Sequence, residues 1–228
     1  MTLYRTGEHA CGYYPERIAR DLVLDPRDPA VAAAYPNALA QGYRRSGGHV
    51  YRPNCPNCRA CTPVRLAVDD FRPDRSQRRC LRDNADVSQR MTLPLRTAES
   101  FALYRRYLVA RHADGPMAQT SEQDFDHFTA SPWSPTRFME LRIGGRLLAV
   151  AVCDVTGEAL SAVYTFFDPD QSARSPGTLA ILRQIEWARH NGRPYVYLGY
   201  WIDGHPKMHY KSRFRPLQVL DGIGWREL

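Results

Sequence analysis

The sequence predicts an α+β fold in two parts, over residues 1–95 and 96–228. Short apolar segments joined by glycine-containing turns recur in both parts, and such segments are typical of antiparallel strands. Other segments carry apolar residues at three- and four-residue spacing, which is typical of amphipathic helices. The 228 residues are 43% hydrophobic and 24% charged, so the chain is long enough to bury a core and has the composition of an ordinary soluble protein.

The amino-terminal part is predicted to hold a short helix, a hairpin and one further strand. Aspartate and proline suit the N-cap and first position of a helix over residues 28–34, and Pro36 is predicted to end or restart it. Residues 43–46 and 49–52 flank two glycines, which favour a tight hairpin turn. Residues 62–68 have the composition of another strand.

Three cysteines follow the hairpin with Cys-x-x-Cys-x-x-Cys spacing, at Cys55, Cys58 and Cys61. On a loop this spacing brings three thiols close together, as Zn²⁺ or an iron-sulfur cluster requires. Cys11 is the predicted fourth ligand because a glycine follows it, and the alternatives are His9, His49 and Cys80. A metal is favoured over disulfides in a reducing compartment, but the spacing does not choose between zinc and iron-sulfur. A redox-sensitive loop without metal is the other interpretation.

A basic helix is predicted to begin at Asp74. Arg75, Arg78, Arg79 and Arg82 follow at three- and four-residue spacing, so their side chains share one side of that helix. Such a row can bind phosphates or hold a carboxylate through a bidentate fork. The alternative is a solvated face that binds nothing.

The second part is predicted to begin with helices over residues 97–111 and 122–128. Three strands then follow, over residues 137–143, 146–155 and 159–167, and their short connections favour an antiparallel meander. Cys153 falls in the second of these strands and is expected to be a small buried side chain.

A loop, a helix and a last strand come next. The loop contains Arg174-Ser-Pro-Gly177, the helix spans residues 178–190, and the strand spans residues 195–201. Strand, loop, helix and strand is the order in which acetyltransferases of the GNAT fold build their acyl-donor site, where amides at a helix N-terminus face phosphate oxygens. The order is that of a GNAT-like fold, but in a generic αβ protein such a loop is often only a connection.

Of the 31 lysines and arginines only two are lysines, Lys207 and Lys211, and they lie four residues apart. Burial can shift the pKa of a lysine amine, whereas a guanidinium stays charged and planar, so these two lysines indicate a site rather than a generic charged surface. The same segment is crowded with further polar and aromatic side chains: Trp201, Asp203, His205, His209, Tyr210 and Arg213.

The net charge of +7 and the pI near 9.2 favour an anionic partner, of which nucleic acid is the commonest. No run of about 18 apolar residues is present to cross a bilayer. The first residues have no apolar signal core, so a cytoplasmic protein without a membrane partner is expected. The residues do not indicate an oligomeric state.

Five segments in chain order share the pattern of one family. They begin with Cys11-Gly-Tyr-Tyr-Pro, continue through the cysteine loop and the basic helix, and end in Ser161-Ala-Val-Tyr-Thr and Leu198-Gly-Tyr-Trp-Ile-Asp-Gly-His-Pro-Lys-Met-His-Tyr-Lys211. Together they resemble the aminoacyl-tRNA:protein transferases, most of all the bacterial aspartate/glutamate leucyltransferases, which are related to the eukaryotic arginyltransferases. One departure is His209, where an acidic residue is expected.

This resemblance implies transfer of leucine from leucyl-tRNA to proteins that begin with Asp or Glu, which marks them for the N-degron (N-end rule) pathway. It also implies an amino-terminal αβ domain that holds the cysteines and a GNAT-like carboxy-terminal domain. The reaction is an aminolysis that consumes no cofactor. Lys207 or Lys211 is expected to supply positive charge, Tyr164 and Tyr200 to donate hydrogen bonds, and His205 to relay a proton.

An acceptor with an acidic first residue presents a carboxylate that a planar guanidinium can hold through two hydrogen bonds. Arg78 or Arg79 is the candidate, and Arg75 and Arg213 complete the predicted substrate-binding set. Three other functions stay open: an arginyl-tRNA donor, an acyl-CoA-dependent GNAT acetyltransferase that binds pyrophosphate at residues 174–177, and a metal-containing RNA-binding protein without chemistry.

Overall fold

The computed structural model describes residues 1–111 and 120–228, in which strands outnumber helices. The strands are β1 (Leu3–Arg5), β2 (His9–Ala10), β3 (Ile18–Ala19), β4 (Asp21–Leu24), β5 (Arg44–Ser46), β6 (His49–Pro53), β7 (Thr62–Ala67), β8 (Val87–Thr92), β9 (Thr136–Ile143), β10 (Arg146–Val155), β11 (Ala159–Phe167), β12 (Tyr195–Trp201), β13 (Leu217–Leu220) and β14 (Trp225–Glu227). The α-helices are α1 (Val31–Ala40), α2 (Arg75–Asp83), α3 (Ala98–Arg111), α4 (Glu122–Thr129) and α5 (Pro176–His190). Short 3-10 helices span Pro169–Arg174 and His209–Arg213. The α+β class predicted from the sequence is confirmed.

The largest sheet has eight strands in the order β14-β13-β7-β12-β11-β10-β9-β8. Its neighbours pair antiparallel except β11 and β12, which run parallel because α5 carries the chain from one to the other. The first part contributes two strands to this sheet: β7 pairs with β12 and β13, and β8 pairs with β9. The division at residue 95 stays a prediction.

A gap opens between β11 and β12. The two strands pair only where residues 159–161 face residues 195–197, and beyond that point they have no common register. Val163 is inserted as a bulge, since Ala162 and Tyr164 face consecutive residues of β10. A register shift also interrupts β12 at Gly199, which has a φ of 75°. Bulges bend strands and free backbone groups, so this gap is a place where side chains can enter the sheet.

Apolar side chains fill both faces of the large sheet. Helix α5 packs on one face with the inner side of α2, and α3 and α4 pack on the other face around Leu103, Phe125 and Phe166. Helix α1 packs with the smaller four-stranded sheet β1-β4-β6-β5. The predicted meander and the helix before the last predicted strand are confirmed, and Cys153 is fully buried as expected. No helix of the described ranges is long and apolar enough to cross a membrane.

One buried ion pair ties the smaller sheet to the larger one. Arg45 of β5 donates from Nε to Asp154 Oδ2 at 2.7 Å and from Nη2 to Oδ1 at 2.9 Å, and both side chains are fully buried. Tyr35 and Thr136 each donate a further hydrogen bond of 2.7 Å to the same carboxylate. Arg45 also donates to two backbone carbonyls, so the pair is fully hydrogen-bonded, as a buried pair must be.

The predicted helix over residues 28–34 is wrong in its bounds. Helix α1 begins at Val31 and continues through Pro36, where the helix was predicted to end or restart. Asp28 instead forms a turn before the helix and accepts a hydrogen bond from the amide of Ala30 at 2.9 Å. Burial of Tyr35 and Leu39 on either side of the proline offsets the lost backbone hydrogen bond. Seven strands were not predicted: β1, β2, β3, β4, β8, β13 and β14.

Candidate functional site

The cysteine loop and the two-lysine segment meet beside the open end of β12. Tyr200, Ile202 and Met208 form a buried apolar cluster. Residues of the amino-terminal loop, of β6 and of the cysteine loop pack on this cluster: Tyr13, Tyr14, Tyr51, Ala60 and Cys61. Segments that lie far apart in the chain, such as those of Cys61 and Met208, thus share one site, as the family resemblance requires.

Lys211 is the buried lysine of the pair, with 4% of its surface exposed. Its Nζ donates to the backbone carbonyl of Tyr200 and lies 4.0 Å from the sulfur of Met208. Burial lowers the pKa of Lys211 well below its usual value, the charge of Arg44 lowers that pKa further, and Cys61 raises it. Lys207, by contrast, is exposed.

Arg44 occupies the gap between β11 and β12. It comes from β5 and donates from Nη2 to the carbonyl of Val163, the bulged residue, at 3.1 Å. Its guanidinium carbon lies 5.8 Å from the centre of the Tyr200 ring. A Cβ added to Gly199 would lie 3.1 Å from Nη1 of Arg44, so the glycine leaves the space that the guanidinium fills.

Neither of these two cations has an acidic partner. Across residues 1–111 and 120–228, no carboxylate lies within 4.0 Å of the charged nitrogens of Arg44 or Lys211. The groups that surround Arg44 are tyrosine hydroxyls, among them Tyr13, Tyr51 and Tyr200. A charge that is taken out of water without a counter-charge destabilises the fold, so an anion that enters this site is bound favourably.

Tyr200 is held by the backbone of the smaller sheet. Its hydroxyl lies 3.0 Å from the carbonyl of Gly42 and 3.2 Å from the carbonyl of Tyr51, and the side chain is 2% exposed. The single hydroxyl proton is therefore directed at carbonyl oxygens next to β5 and β6. This contact fixes β12 against the strand that carries Arg44.

His205 joins the lysine segment to the amino-terminal loop. Its Nδ1 accepts from the amide of Lys207 at 3.2 Å, so Nε2 carries the proton and donates to the carbonyl of Tyr13 at 3.2 Å. The ring also makes edge contacts with Tyr13 and Tyr14 at 5.6 and 5.4 Å. Both ring nitrogens are thus engaged with the backbone.

Tyr164 lies on β11, next to the bulge. Its ring makes edge contacts with Phe128 at 5.0 Å and with Tyr104 and Tyr107 at 6.3 Å. Burial raises the pKa of its hydroxyl, and the hydroxyl has no hydrogen-bond partner within the described ranges. A buried hydroxyl without a partner is uncommon in native proteins and is available to a ligand.

The predicted basic helix is confirmed as α2, with Asp74 as its N-cap in a capping box with Gln77. The arginines Arg75, Arg78, Arg79 and Arg82 are exposed, whereas Gln77 is buried and donates to the carbonyl of Arg213 at 3.0 Å. Arg213 is also exposed. The exposed arginine row therefore lies beside the segment that carries Lys211.

The four predicted cysteine ligands are partly buried. Burial raises the pKa of Cys61 to about 12, and Cys11, Cys55 and Cys58 raise it further, so these sulfurs lie in one neighbourhood. The amide of Ala60 lowers the pKa of Cys58, as does Arg17, which donates to its sulfur at 3.4 Å.

The thiols supply the soft donors that zinc and iron-sulfur clusters prefer. In the described part of the chain, however, no three Cys, His, Asp or Glu side chains are arranged around one point as metal ligands are. Cys80, an alternative fourth ligand, packs at the start of α5, 3.9 Å from the carbonyl of Arg174. The metal stays a prediction.

The loop before α5 has its arginine already paired. Arg174 donates to the two carboxylate oxygens of Asp86 at 2.9 and 3.1 Å. The acetyl-CoA alternative required this guanidinium for a pyrophosphate. The pairing therefore counts against that alternative.

Comparison with protein families gives matches over most of the chain. The model described as "Arginine-tRNA-protein transferase, N terminus" matches residues 9–79, and the one described as "Arginine-tRNA-protein transferase, C terminus" matches residues 99–221. The chain belongs to this transferase family. It is therefore an enzyme of the transferase class, and the resemblance noted in its sequence is confirmed.

Similar members of the family share more than half of their residues with this chain. A protein of Stenotrophomonas maltophilia (strain K279a) named aspartate/glutamate leucyltransferase is 56% identical, over 100% of this chain and 93% of its own length. Proteins of the same name from Xylella fastidiosa (strain 9a5c) and Xanthomonas campestris pv. campestris (strain B100) are 54% and 58% identical. They cover 99% and 100% of this chain, and it covers 91% and 93% of them.

Solved structures that resemble this transferase share its fold at low identity. The C-terminal DUF2156 domain of an Agrobacterium fabrum protein has a TM-score of 0.51 at 15% identity and covers 84% of this chain and 66% of its own. L-PGS from Bacillus licheniformis has a TM-score of 0.50 at 10% identity and covers 78% and 52%. The GNAT-like fold predicted from the sequence is confirmed.

Sequence reasoning missed Arg44, the residue that fills the gap in this transferase. The hairpin that carries Arg44 was predicted, but two adjacent arginines on a strand point to opposite faces, and nothing local tells which one enters a site. The signal lies far away in the chain, at Gly199, whose missing side chain makes room for the guanidinium.

Proposed function

We propose that the protein transfers leucine from leucyl-tRNA to the N-terminal amine of proteins that begin with Asp or Glu, and so marks them for degradation by the N-degron pathway in the cytoplasm. The observation that carries this proposal is identity of 53–58% over 99–100% of the chain to proteins named aspartate/glutamate leucyltransferase. The half-buried Arg44 and the buried Lys211, which have no acidic partner in the described ranges, are consistent with an acidic acceptor.

The reaction proposed for this site is aminolysis of an ester. The acceptor's neutral α-amine attacks the carbonyl carbon of the leucyl ester, a C–N bond forms, and the C–O bond to the terminal ribose breaks. The amine loses a proton and the ribose hydroxyl gains one, so no cofactor is consumed. Because a free α-amine has a pKa of about 7.7 to 8.0, much of the catalysis can come from positioning and from stabilising the oxyanion.

The residues proposed for this chemistry differ in whether their polar groups are already engaged in hydrogen bonds. Lys211 places its amine at the open end of β12, and the Tyr164 hydroxyl has no partner in the described ranges, so both can donate a hydrogen bond to a developing oxyanion. Tyr200 and His205 are engaged with backbone carbonyls and would act by positioning. Lys207 is exposed and would contribute charge at the entrance.

The exposed arginine row on α2 is proposed to hold tRNA phosphates, together with Arg213. These guanidinium groups face solvent beside the lysine segment, where a nucleic-acid backbone has room to pass. Leucyl-tRNA affinity should then fall with rising salt, and the slope should become shallower when one of these arginines is removed. Zinc or an iron-sulfur cluster on Cys11, Cys55, Cys58 and Cys61 is proposed as a structural element that fixes the neighbouring loop.

The test is a transfer assay with labelled amino acids. Purified protein is mixed with leucyl-tRNA and a peptide that begins with Asp, and in parallel with arginyl-tRNA and the same peptide. We expect labelled leucine on the Asp peptide and none on a matched Ala peptide. Transfer of arginine without transfer of leucine would identify arginyl-tRNA as the donor. RNA binding without transfer of either amino acid would reject the enzyme activity.

A further inference from the structure

We infer that Arg44 binds the side-chain carboxylate of the acceptor's first residue, with Lys211 as the second cation of the same pocket. This inference rests on the proposed function. It assigns the choice of acidic acceptors to a residue of β5 that the sequence analysis did not single out.

The positive charge around Arg44 is not neutralised by any carboxylate of the described ranges. Within residues 1–111 and 120–228 Arg44 makes one hydrogen bond, to the carbonyl of Val163, and a guanidinium has five N–H donors. Its charge acts on Lys211, so the two cations are close enough to destabilise each other. With no carboxylate of the described chain beside them, a bound anion would relieve both the repulsion and the unpaired burial.

The enclosure of the pocket favours a carboxylate over a nucleic-acid phosphate. Lys211 is almost fully buried, and Arg44 lies near the side chains of Tyr13, Tyr51 and Tyr200. A phosphate in an RNA backbone is flanked by two sugars and is usually met by exposed arginines, such as those of α2. A carboxylate on one or two methylene groups can instead enter a narrow gap.

The position of the pocket also suits the reaction. In an N-terminal Asp the carboxylate and the α-amine are separated by two carbon atoms, so cations that hold the carboxylate fix the amine within a few ångströms. Arg44 and Lys211 lie at the gap where β11 and β12 separate, and β11 also carries Tyr164, whose hydroxyl has no partner in the described ranges. Binding the side chain there would orient the amine toward the ester.

The neighbouring residue holds Arg44 in place. Arg45 anchors β5 through the buried ion pair with Asp154, and the two arginines point to opposite faces of the strand. A planar guanidinium fixed in this way is suited to bidentate binding of a carboxylate. The exposed Arg78, in contrast, donates to the carbonyl of Pro73 at 2.6 Å and has no enclosing wall.

The test compares Arg44→Gln with the wild type on two matched peptides, one that begins with Asp and one that begins with the uncharged isostere Asn. Truncation of one partner of a buried charge pair costs about 2 to 5 kcal/mol, which is about 30-fold or more in kcat/KM. We expect that loss for the Asp peptide, no loss for the Asn peptide, and an unchanged Kd for leucyl-tRNA. Arg90→Gln is the control, since Arg90 is exposed on β8 at the far edge of the sheet.

Calorimetric titration of the Asp and Asn peptides separates this inference from the proposed function. If the wild type transfers nothing but binds the Asp peptide through Arg44, only the proposed function fails. Equal losses for both peptides would overturn the inference, as would a collapse of the Asp preference in Arg78→Ala but not in Arg44→Gln. Loss of leucyl-tRNA affinity alone in Arg44→Gln would assign Arg44 to a phosphate and also overturn it.

A second variant tests the same inference if Arg44→Gln does not fold. Arg44→Lys retains the charge but not the planar fork, so we expect the Asp preference to persist at a level reduced about tenfold, in line with about 1.4 kcal/mol for one charge-assisted hydrogen bond. An Asp preference in Arg44→Lys equal to that of the wild type would contradict bidentate binding by Arg44.

Discussion

Replacement of Arg45 by methionine tests how the smaller sheet is attached to the larger one. Arg45 donates two hydrogen bonds to Asp154 and others to the carbonyls of Gly47 and Thr129, and no part of its side chain is exposed. Methionine fills a similar volume but supplies no donor. Asp154 would keep only the hydrogen bonds from Tyr35 and Thr136, and its charge would have no cation beside it.

Removing one partner of a buried ion pair costs about 3 to 5 kcal/mol of the free energy of unfolding. A chain of this size shifts its Tm by about 2 to 4 °C per kcal/mol, so Arg45→Met should lower the Tm by about 6 to 20 °C. The same change loosens β5, on which Arg44 lies. The KM for an Asp peptide should therefore rise at temperatures where the variant is still folded.

Urea unfolding followed by circular dichroism measures this loss. Arg90→Met, at an exposed position, is the matched control and should change the free energy of unfolding by about 0.5 kcal/mol or less. The double variant Arg45→Met/Asp154→Leu removes both charges and should recover most of the loss, because no charge is left unpaired. A loss below about 1 kcal/mol in Arg45→Met would refute the reasoning, since it lies under the range for a broken buried pair.

Three further predictions concern the lysines and the cysteines. Burial lowers the pKa of Lys211 in the folded protein, so between that pKa and the usual value the unfolded chain binds more protons than the folded one, and the free energy of unfolding should rise with pH. Urea unfolding at several pH values should show a flatter rise for Lys211→Met than for the wild type, and an unchanged slope would contradict this prediction. Lys211→Arg should lower kcat about tenfold or more, because a guanidinium does not fit the buried site. Lys207 is exposed, so Lys207→Arg should transfer leucine at nearly the wild-type rate. Unaltered turnover in both variants would contradict a special role of the lysine amines. Protein purified without chelators or oxygen should contain zinc or iron by elemental analysis, with less in Cys61→Ser, and the absence of both metals would contradict the proposed cysteine site.

Local patterns predicted much of the fold because they depend on neighbours in the chain. The glycine turns predicted the meander, and Asp74 with Gln77 formed the capping box that begins α2. Strand β8 pairs with β9 across α3 and α4, and β13 pairs with β7, about 150 residues earlier in the chain. Strands of this kind are determined by distant partners, and a single sequence does not reveal them.

In the candidate site, too, the features that depend on neighbours in the chain were predicted and those that depend on distant residues were not. The two lysines were singled out by their rarity, but only the fold shows that Lys211 is buried and Lys207 is not. The arginines of α2 were predicted from helical spacing and are exposed as a row. Arg44 was missed because its role depends on a bulge at Val163 and a glycine at 199, neither of which is near it in the chain.

The gap between β11 and β12 explains why the acceptor site needs both parts of the chain. The carboxy-terminal part supplies the separated strands, the bulge, Lys211 and Tyr200, and the amino-terminal part supplies Arg44 with Tyr13 and Tyr51. Tyr200 and the Arg45–Asp154 pair hold these contributions together from either side of β5. A cation placed in a sheet without a counter-charge lowers stability, so its presence is best understood as preparation for an anion that arrives with the substrate. The acidic first residue of the acceptor is the anion that also brings the reacting amine.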